Sequence, residues 1–207
     1  MNGDLALAGL VASRICHDLI SPVGAIGNGL ELMREPGSGA EEMALLVDCS
    51  EAATSSLQFL RLAFGARDPN ESLGRDEFSS AITPYFSRRK CALDLGDCPE
   101  SMNFGAARPL IWLALIGAGA LPRGGELALT SAASAPLALE WAVRGESRMQ
   151  AKASALLSAP PALAEVGPGE VHFLLLWRTA QAAGARPHWR PDSISGGAIG
   201  LAGATAR

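Results

Sequence analysis

Apolar residues recur at three- and four-residue steps from Leu5 to Met33, which is the spacing of an α-helix with one apolar seam. Pro22 lies inside this stretch and is expected to kink the helix locally, because proline has no backbone N–H. The segment 35–39, Glu-Pro-Gly-Ser-Gly, should end the helix. The seam consists of Leu5, Ala8, Ala12, Ile15, Leu19, Val23, Ile26, Leu30 and Met33.

A second apolar stripe of the same kind begins at Met43 and ends at Phe64, directly before Gly65. Two helices joined by a short loop form an antiparallel hairpin. A lone hairpin cannot bury both of its seams well, whereas two hairpins pack into a four-helix bundle. We therefore expect residues 1–66 to form the hairpin of a homodimeric four-helix bundle. The second seam consists of Met43, Leu46, Ser50, Ala53, Leu57, Leu60 and Phe64.

The rest of the chain has the pattern of a mixed α/β domain, so the predicted fold class is α+β. Residues 66–74, ARDPNESLG, are polar and rich in turn formers, and are expected to be a linker. Beyond them we expect a second domain over residues 75–207, in which the strands at 126–131 and 138–144 pair as a hairpin. The other predicted strands are 91–95, 188–190 and 198–202, and the predicted helices are 76–86, 105–121, 149–158 and 171–183.

Composition narrows the possible classes of function. The formal net charge is −4, and the chain has no basic cluster beyond residues 88–90, which argues against a general nucleic-acid-binding role. The four cysteines have no metal-ligand spacing and are expected to be buried, reduced thiols. The first residues lack the pattern of a signal peptide, and the longest apolar run, 110–121, is too short to span a bilayer. We expect a soluble, cytoplasmic protein with no membrane partner.

The candidate chemistry lies in the first helix, at His17. Each helical residue advances by ~100°, so His17 points roughly 160° away from the seam residues Ile15 and Leu19 and should face solvent. The side chains expected on its face are small or polar, which suits a surface on which another protein docks. They belong to Ser13, Arg14, Ser21, Gly24 and Asn28.

An exposed histidine next to a carboxylate has the groups needed to carry a phosphoryl group. The neutral imidazole is available near neutral pH, and Asp18 is placed to orient the ring and raise its nucleophilicity. Arg14, one turn earlier, could steady phosphoryl oxygens, and Ser13 and Ser21 offer hydroxyl groups. The plainer interpretation of the same pair is an ordinary surface histidine beside a solvated acid.

The wider sequence favours the phosphoryl carrier. Residues 13–33, SRICHDLISPVGAIGNGLELM, resemble the phosphoacceptor segment of histidine kinases: a histidine, an acid, two apolar residues, a small residue and a proline. More closely, they resemble the ChpT-like histidine phosphotransferase family of alphaproteobacteria. The match is strong over residues 10–34 and moderate over the second helix. The resemblance implies a dimeric helical bundle that relays a phosphoryl group through His17.

The order of elements after residue 75 is similar to the ATP-binding (Bergerat-like) module of histidine kinases, but this chain lacks its ligand residues. Leu113 and Gly117 stand where that module has an asparagine pair, and no aspartate follows the middle strand at 144–147. The glycine-rich loop is reduced to Gly167-Pro168-Gly169, which more simply forms an ordinary turn. We expect a degenerate ATPase-like sandwich that binds neither ATP nor a metal ion.

The resemblance therefore implies a relay rather than a kinase. His17 would exchange a phosphoryl group with aspartates on the receiver domains of a hybrid histidine kinase and of response regulators, and the receiver would supply Mg²⁺. The docking surface would extend from His17 along the first helix to Ser21, Gly24, Ala25 and Asn28, and would include part of the second helix. The residues expected there are Thr54, Ser55 and Gln58.

Two alternatives remain open at this stage. The chain could be a divergent ATP-dependent sensor histidine kinase core, which would phosphorylate His17 from ATP alone. It could also be a non-catalytic dimeric adaptor for a receiver domain, for which His17 would be dispensable. Elsewhere in the chain, His172 and His188 lie in apolar patterns and are expected to be structural. Three tryptophans are expected in the core and one, Trp189, partly exposed: the core set is Trp112, Trp141 and Trp177.

Overall fold

The computed structural model describes residues 2–36, 39–131, 139–192 and 196–203. It is an α+β protein in which a pair of long helices precedes a sheet domain, as the sequence predicts. The helices are α1 (Asn2–Leu32), α2 (Ala40–Phe64), α3 (Arg75–Ser87), α4 (Phe104–Gly119), α5 (Ala151–Ser158) and α6 (Val171–Ala182). The strands are β1 (Ser72–Gly74), β2 (Cys91–Asp94), β3 (Ser101–Asn103), β4 (Gly125–Ser131), β5 (Leu139–Arg144), β6 (Ala185–Pro191) and β7 (Gly196–Gly203).

Helices α1 and α2 pack against each other as the predicted hairpin. Gly29 allows their close approach, because a Cβ there would lie 2.7 Å from Leu46 Cδ2. Gly39 precedes α2, and its backbone N–H donates to the Glu42 carboxylate at 2.7 Å. Gly65 ends the helix, as predicted. The predicted break at Gly37 and Ser38 lies outside the described residues.

Each predicted seam divides between two faces of its helix. Ile15, Leu19 and Ile26 of α1 are partly buried, whereas Val23 is 56 % exposed. A seam with alternating three- and four-residue steps covers a stripe that is wider than the contact with one neighbouring helix. Some seam residues therefore pack against the other helix of the hairpin, and others stay exposed. The exposed large apolar residues of the two helices are Leu5, Ile20, Val23, Leu30, Leu32, Met43, Leu45, Val47 and Leu57.

This apolar surface also gives α1 the composition of a membrane span. Among the described residues, Gly3–Leu32 is long and apolar enough to cross a bilayer, with a mean hydropathy of 1.2. Charged residues interrupt its apolar run, so the longest uninterrupted apolar stretch of the sequence lies elsewhere, at 110–121. A helix near the N-terminus that offers one apolar face to a partner helix meets the same criterion.

The C-terminal half contains a five-stranded sheet in the order β2-β4-β5-β7-β6, and α4 packs against its strands β4, β5 and β7. Strands β2 and β4 are parallel, and the other neighbours are antiparallel, including the predicted β4–β5 hairpin. Ala138 of that predicted hairpin lies outside the described residues. Strands β1 and β3, which the sequence pattern does not predict, pair as a small separate sheet. Two short 3₁₀ turns, Leu163–Glu165 and Pro168–Glu170, precede α6.

The helical pair and the sheet domain share one core. Phe59 of α2 stacks on Tyr85 of α3, with ring centroids 3.6 Å apart. Trp112 of α4 donates from Nε1 to the backbone oxygen of Ala63 at 3.1 Å. All four of these residues are buried. The predicted linker 66–74 therefore joins two parts in contact, and its last three residues form β1.

Several smaller expectations can be compared with the structure. The three tryptophans expected in the core are buried, and Trp189 is partly exposed, as predicted. His172 is buried and His188 is partly buried. The expectation for the cysteines was wrong in part: Cys91 and Cys98 are buried, but Cys16 is exposed and Cys49 is half-buried, and all four are free.

Candidate phosphoacceptor site

On α1, the exposed side chain of His17 lies beside the buried side chain of Asp18. The side chain of His17 is 78 % exposed, whereas that of the adjacent Asp18 is 6 % exposed. Nδ1 of His17 lies 3.1 Å from Oδ1 of Asp18. The ring is therefore held on one nitrogen by a buried carboxylate, and Nε2 is left toward solvent.

Asp18 is fixed through its other oxygen. Its Oδ2 accepts a hydrogen bond from Nε of Arg14 at 3.0 Å and lies 2.9 Å from Nη2 of the same guanidinium. The hydroxyl group of Tyr85 donates to the same Oδ2 at 3.2 Å. One carboxylate thus contacts His17, an arginine one turn earlier on α1 and a tyrosine from α3.

Tyr85 is anchored on both faces of its ring. Phe59 stacks on one side with an interplanar angle of 6°, and the Arg89 guanidinium lies 3.6 Å from the ring centroid. Burial raises the pKa of Tyr85 above its usual value, so the hydroxyl group stays protonated and available as a donor. The sequence shows only that this is the sole tyrosine, at the end of a predicted helix, and its place at the site could not be read from it.

Arg14 differs most from the sequence-based expectation. It was placed on the open face of His17, but its side chain is only 12 % exposed. Its Nη1 donates to the backbone oxygen of Gly169 at 2.7 Å, so the guanidinium is held between Asp18 and the 3₁₀ turn before α6. Around the helix axis Arg14 lies about 60° from His17 and about 40° from Asp18, so its long side chain can turn away from the face of His17 to the side where Asp18 is buried.

The structure brings together some of the proposed docking residues. Ser13, Ser21, Gly24 and Asn28 are exposed on α1, and Ala25 is half-buried.

The residues from α2 lie elsewhere. Thr54 and Gln58 are exposed, but they line a groove with Ile15, which lies on the opposite side of α1 from His17. Ser55 is buried, and its hydroxyl group donates to the backbone oxygen of Ala52 at 3.1 Å. Within one chain, these three α2 residues are not part of the surface around His17.

The positions compared with nucleotide ligands serve packing. Leu113 is fully buried, and a Cβ added at Gly117 would lie 3.0 Å from Leu127 Cδ2. In the 3₁₀ turn, the Gly167 N–H donates to the Glu170 carboxylate at 2.9 Å. The reduced glycine loop is therefore an ordered turn that contacts α1 through Arg14.

A cavity of about 320 Å³ remains between α3, α4, α5 and the start of α6. It is lined by apolar side chains and by the charged groups of Arg14, Arg89, Lys152 and Glu170. Lys152 Nζ lies 2.8 Å from Glu170 Oε1, and hydrogen bonding to it lowers the pKa of that carboxyl group. Two of the four charges thus pair with each other.

His172, on the wall of this cavity, is neutral in the folded protein. Burial lowers its pKa to about 3, and the nearby Arg14 guanidinium adds to the shift. This supports the expectation that His172 is structural. Among the described residues, no three His, Cys, Asp or Glu side chains are grouped so that they could hold a metal ion.

Comparison with known proteins gives the family. A family model described as the histidine phosphotransferase C-terminal domain matches residues 75–193. The protein phosphotransferase ChpT of Brucella abortus (strain 2308) is 40% identical over 126 residues, which are 60% of this chain and 60% of that protein. The match thus spans less than two thirds of the relative's length. The 1.7 Å structure of a bacterial phosphotransferase has a TM-score of 0.77 at 29% identity, over 95% of this chain and 96% of that one. The chain belongs to the histidine phosphotransferase family.

Proposed function

We propose that this protein relays phosphoryl groups in a two-component phosphorelay, through His17. The observation that carries the proposal is the pairing of an exposed imidazole with a buried carboxylate, at 3.1 Å between His17 Nδ1 and Asp18 Oδ1. Membership in the histidine phosphotransferase family supports the same activity. The donors and acceptors are aspartates on receiver domains, of a hybrid histidine kinase upstream and of response regulators downstream.

The transfer step needs little from this chain beyond a positioned nucleophile. The lone pair of His17 Nε2 forms a bond to the phosphorus of an aspartyl phosphate, and the bond from phosphorus to the aspartate oxygen breaks. The electron pair of that bond remains on the receiver's carboxylate. His17 becomes a phosphorylated imidazolium that keeps its proton on Nδ1, and the reverse step hands the phosphoryl group to the next receiver.

Asp18 has two roles in this step. As an acceptor for Nδ1–H, it selects the neutral tautomer with a bare Nε2. As an anion 3.1 Å away, it also stabilises the positive charge that the ring gains on phosphorylation. An aspartate turned toward solvent would do both less well, because water would screen it.

The charge of the transferring group is proposed to be neutralised by the partner. Receiver domains would bring Mg²⁺ with them, and this chain would bind neither Mg²⁺ nor ATP. Docking would use α1 from Ser13 to Asn28, where small and polar side chains leave the histidine accessible. We interpret the sheet domain as a degenerate relative of the histidine-kinase ATPase module. Leu113 and Gly117, which stand in place of its asparagine pair, support the proposal that ATP binding has been lost.

We also propose a homodimer in the cytoplasm, built as a four-helix bundle. Among the described residues, the exposed large apolar residues all lie on α1 and α2. They are concentrated on one pair of helices, whereas the exposed apolar residues of a monomer are usually scattered singly. Two copies that pack these helices together would cover them. The α2 groove with Thr54 and Gln58 belongs to the same surface.

The test is phosphotransfer from a receiver domain carrying labelled aspartyl phosphate. Wild type should gain an acid-labile, alkali-stable label, and His17→Gln should gain none. Arg144→Gln is a control, because Arg144 lies on β5 and pairs with Glu126 far from α1. It should be labelled like wild type.

The same assay separates the two alternatives. Label incorporated at His17 from ATP alone, without a receiver, would establish a kinase instead. Unlabelled wild type that still binds the receiver, with equal affinity in His17→Gln, would establish an adaptor. Either result would overturn the proposed relay.

A further inference from the structure

We propose that Tyr85 and Arg14 are positioning residues that hold the Asp18 carboxylate and thereby fix which nitrogen of His17 reacts. The inference rests on the proposed transfer through His17, and it assigns the sheet domain a part in the chemistry. The juxtaposition that carries it is one carboxylate contacted by His17 on Oδ1 and by Tyr85 and Arg14 on Oδ2.

The contact between His17 and Asp18 does not follow from the helix itself. Neighbouring residues on a helix point about 100° apart and do not share a face, so their side chains meet only in selected rotamers. Asp18 makes its three contacts on Oδ2 from the buried side of α1. These contacts select the rotamer in which Oδ1 faces His17.

Tyr85 supplies a rigid donor for this purpose. Its ring is fully buried between Phe59 and Arg89, so the hydroxyl group has little freedom to move away from Asp18. Since α3 belongs to the sheet domain, the position of Asp18 depends on how that domain packs on the helical pair.

Arg14 supplies a second link to the same domain. Two of its nitrogens face Asp18 Oδ2, and the third donates to the backbone oxygen of Gly169. Only a guanidinium can direct donors to both sides at once, because its nitrogens are fixed in a planar fork. A lysine would keep the charge but would contact Asp18 or Gly169, not both.

The consequence appears in the tautomer of His17. A carboxylate that accepts from Nδ1–H places the proton on Nδ1 and leaves Nε2 bare. If Asp18 turns away, this preference is lost and the proton also populates Nε2, where it blocks attack on phosphorus.

The experiment combines NMR and transfer rates on the full-length protein. The ¹⁵N chemical shifts of the His17 ring report its tautomer in the protein alone, without a receiver domain. Wild type should show the Nδ1–H tautomer, and Tyr85→Phe and Arg14→Gln should shift the population toward Nε2–H. Transfer from a phosphorylated receiver should slow about tenfold in each, the lower end of the effect that losing an outer hydrogen-bond partner has for metal-binding histidines. Arg14→Lys should recover part of the wild-type tautomer.

Controls separate positioning from folding and from the relay itself. Tyr85→Phe removes one oxygen and keeps the stacked ring, and thermal unfolding would verify that it folds. Arg144→Gln, which also removes an arginine–carboxylate pair, should leave tautomer and rate unchanged. Wild-type tautomer and rate in folded Tyr85→Phe and Arg14→Gln would overturn this inference. Failure of wild type to accept phosphate would overturn the relay instead, whatever the tautomer.

Discussion

Replacing Phe59 tests whether the helical pair and the sheet domain unfold as one unit. Phe59 lies on α2 and is fully buried, stacked on Tyr85 and edge-on to Phe86 at a centroid distance of 5.6 Å. Both partners belong to α3. Phe59→Ala therefore leaves a cavity between the two parts of the molecule, where neither can collapse without the other moving.

The expected loss is large. Truncation of a buried phenylalanine to alanine costs about 3–5 kcal/mol in free energy of unfolding. At a urea m-value of about 2–3 kcal/mol/M, the unfolding midpoint should fall by about 1–2.5 M. Phe59→Leu fills more of the space and should cost less than half as much.

The assay follows urea unfolding with two probes at one fixed protein concentration. All four tryptophans lie at or beyond residue 112, so their fluorescence reports the sheet domain, and through Trp112 also its contact with α2 at Ala63. Far-UV circular dichroism reports the helices of both parts. Because the core is shared, both probes should shift together in Phe59→Ala.

A tryptophan transition that stays at its wild-type midpoint, while the circular dichroism transition moves, would refute this reasoning. That result would mean that the contacts between α2 and α3 add little to the sheet domain. The support of Asp18 by Tyr85 would then lose its structural basis as well.

Three further predictions follow from the structure. Gly117→Asn should destabilise the protein by about 2–5 kcal/mol, because the added side chain would clash with Leu127 and bury an amide group. Calorimetry with ATP should still detect no binding to this variant. Val23→Glu with Leu57→Glu should convert the proposed dimer to a monomer in light scattering, because charges would enter the apolar faces. Lowering the pH from 7 to 5 should cost about 2 kcal/mol of stability through His172, since the unfolded state then binds the proton that the folded state excludes until about pH 3.

Each of these predictions has a matched control. Gly119→Asn places the same side chain on the exposed side of α4, where a Cβ meets nothing within 4 Å, and it should be nearly neutral. Gln181→Glu adds charge on the exposed face of α6 and should leave the oligomeric state unchanged. His172→Leu should make the pH dependence between 7 and 5 shallower, and the slope that remains should include that of His188, whose pKa burial also lowers. Above pH 7, His172 is neutral in both the folded and the unfolded state, so the variant should not differ there. A wild-type slope in that variant would assign the effect to other groups.

Much of the fold could be predicted from the sequence because its signals are local. The apolar period of α1 and α2 and the hairpin of β4 and β5 are each contained in a short window. Strands β1 and β3 were missed because three residues are too few to show a period. Their pairing depends on contacts across the chain.

At the site, the sequence by itself determined the histidine–aspartate pair that we propose carries the phosphoryl group. His17 is placed outward by helical geometry, and the acid beside it is part of the same short segment. Both are consequences of spacing along one helix, so no tertiary contact is needed to infer them.

Only the tertiary structure decided what holds that pair. The side chain of Asp18 accepts a hydrogen bond from a tyrosine 67 residues away, and Arg14 ties it to a turn 155 residues from Arg14 itself. Such contacts join positions that no local period relates, because they depend on how the sheet domain packs on α1. The same packing explains why Arg14 is largely buried, although helical geometry alone placed it on the exposed surface. It also explains why each seam has both exposed residues and residues that are at least partly buried.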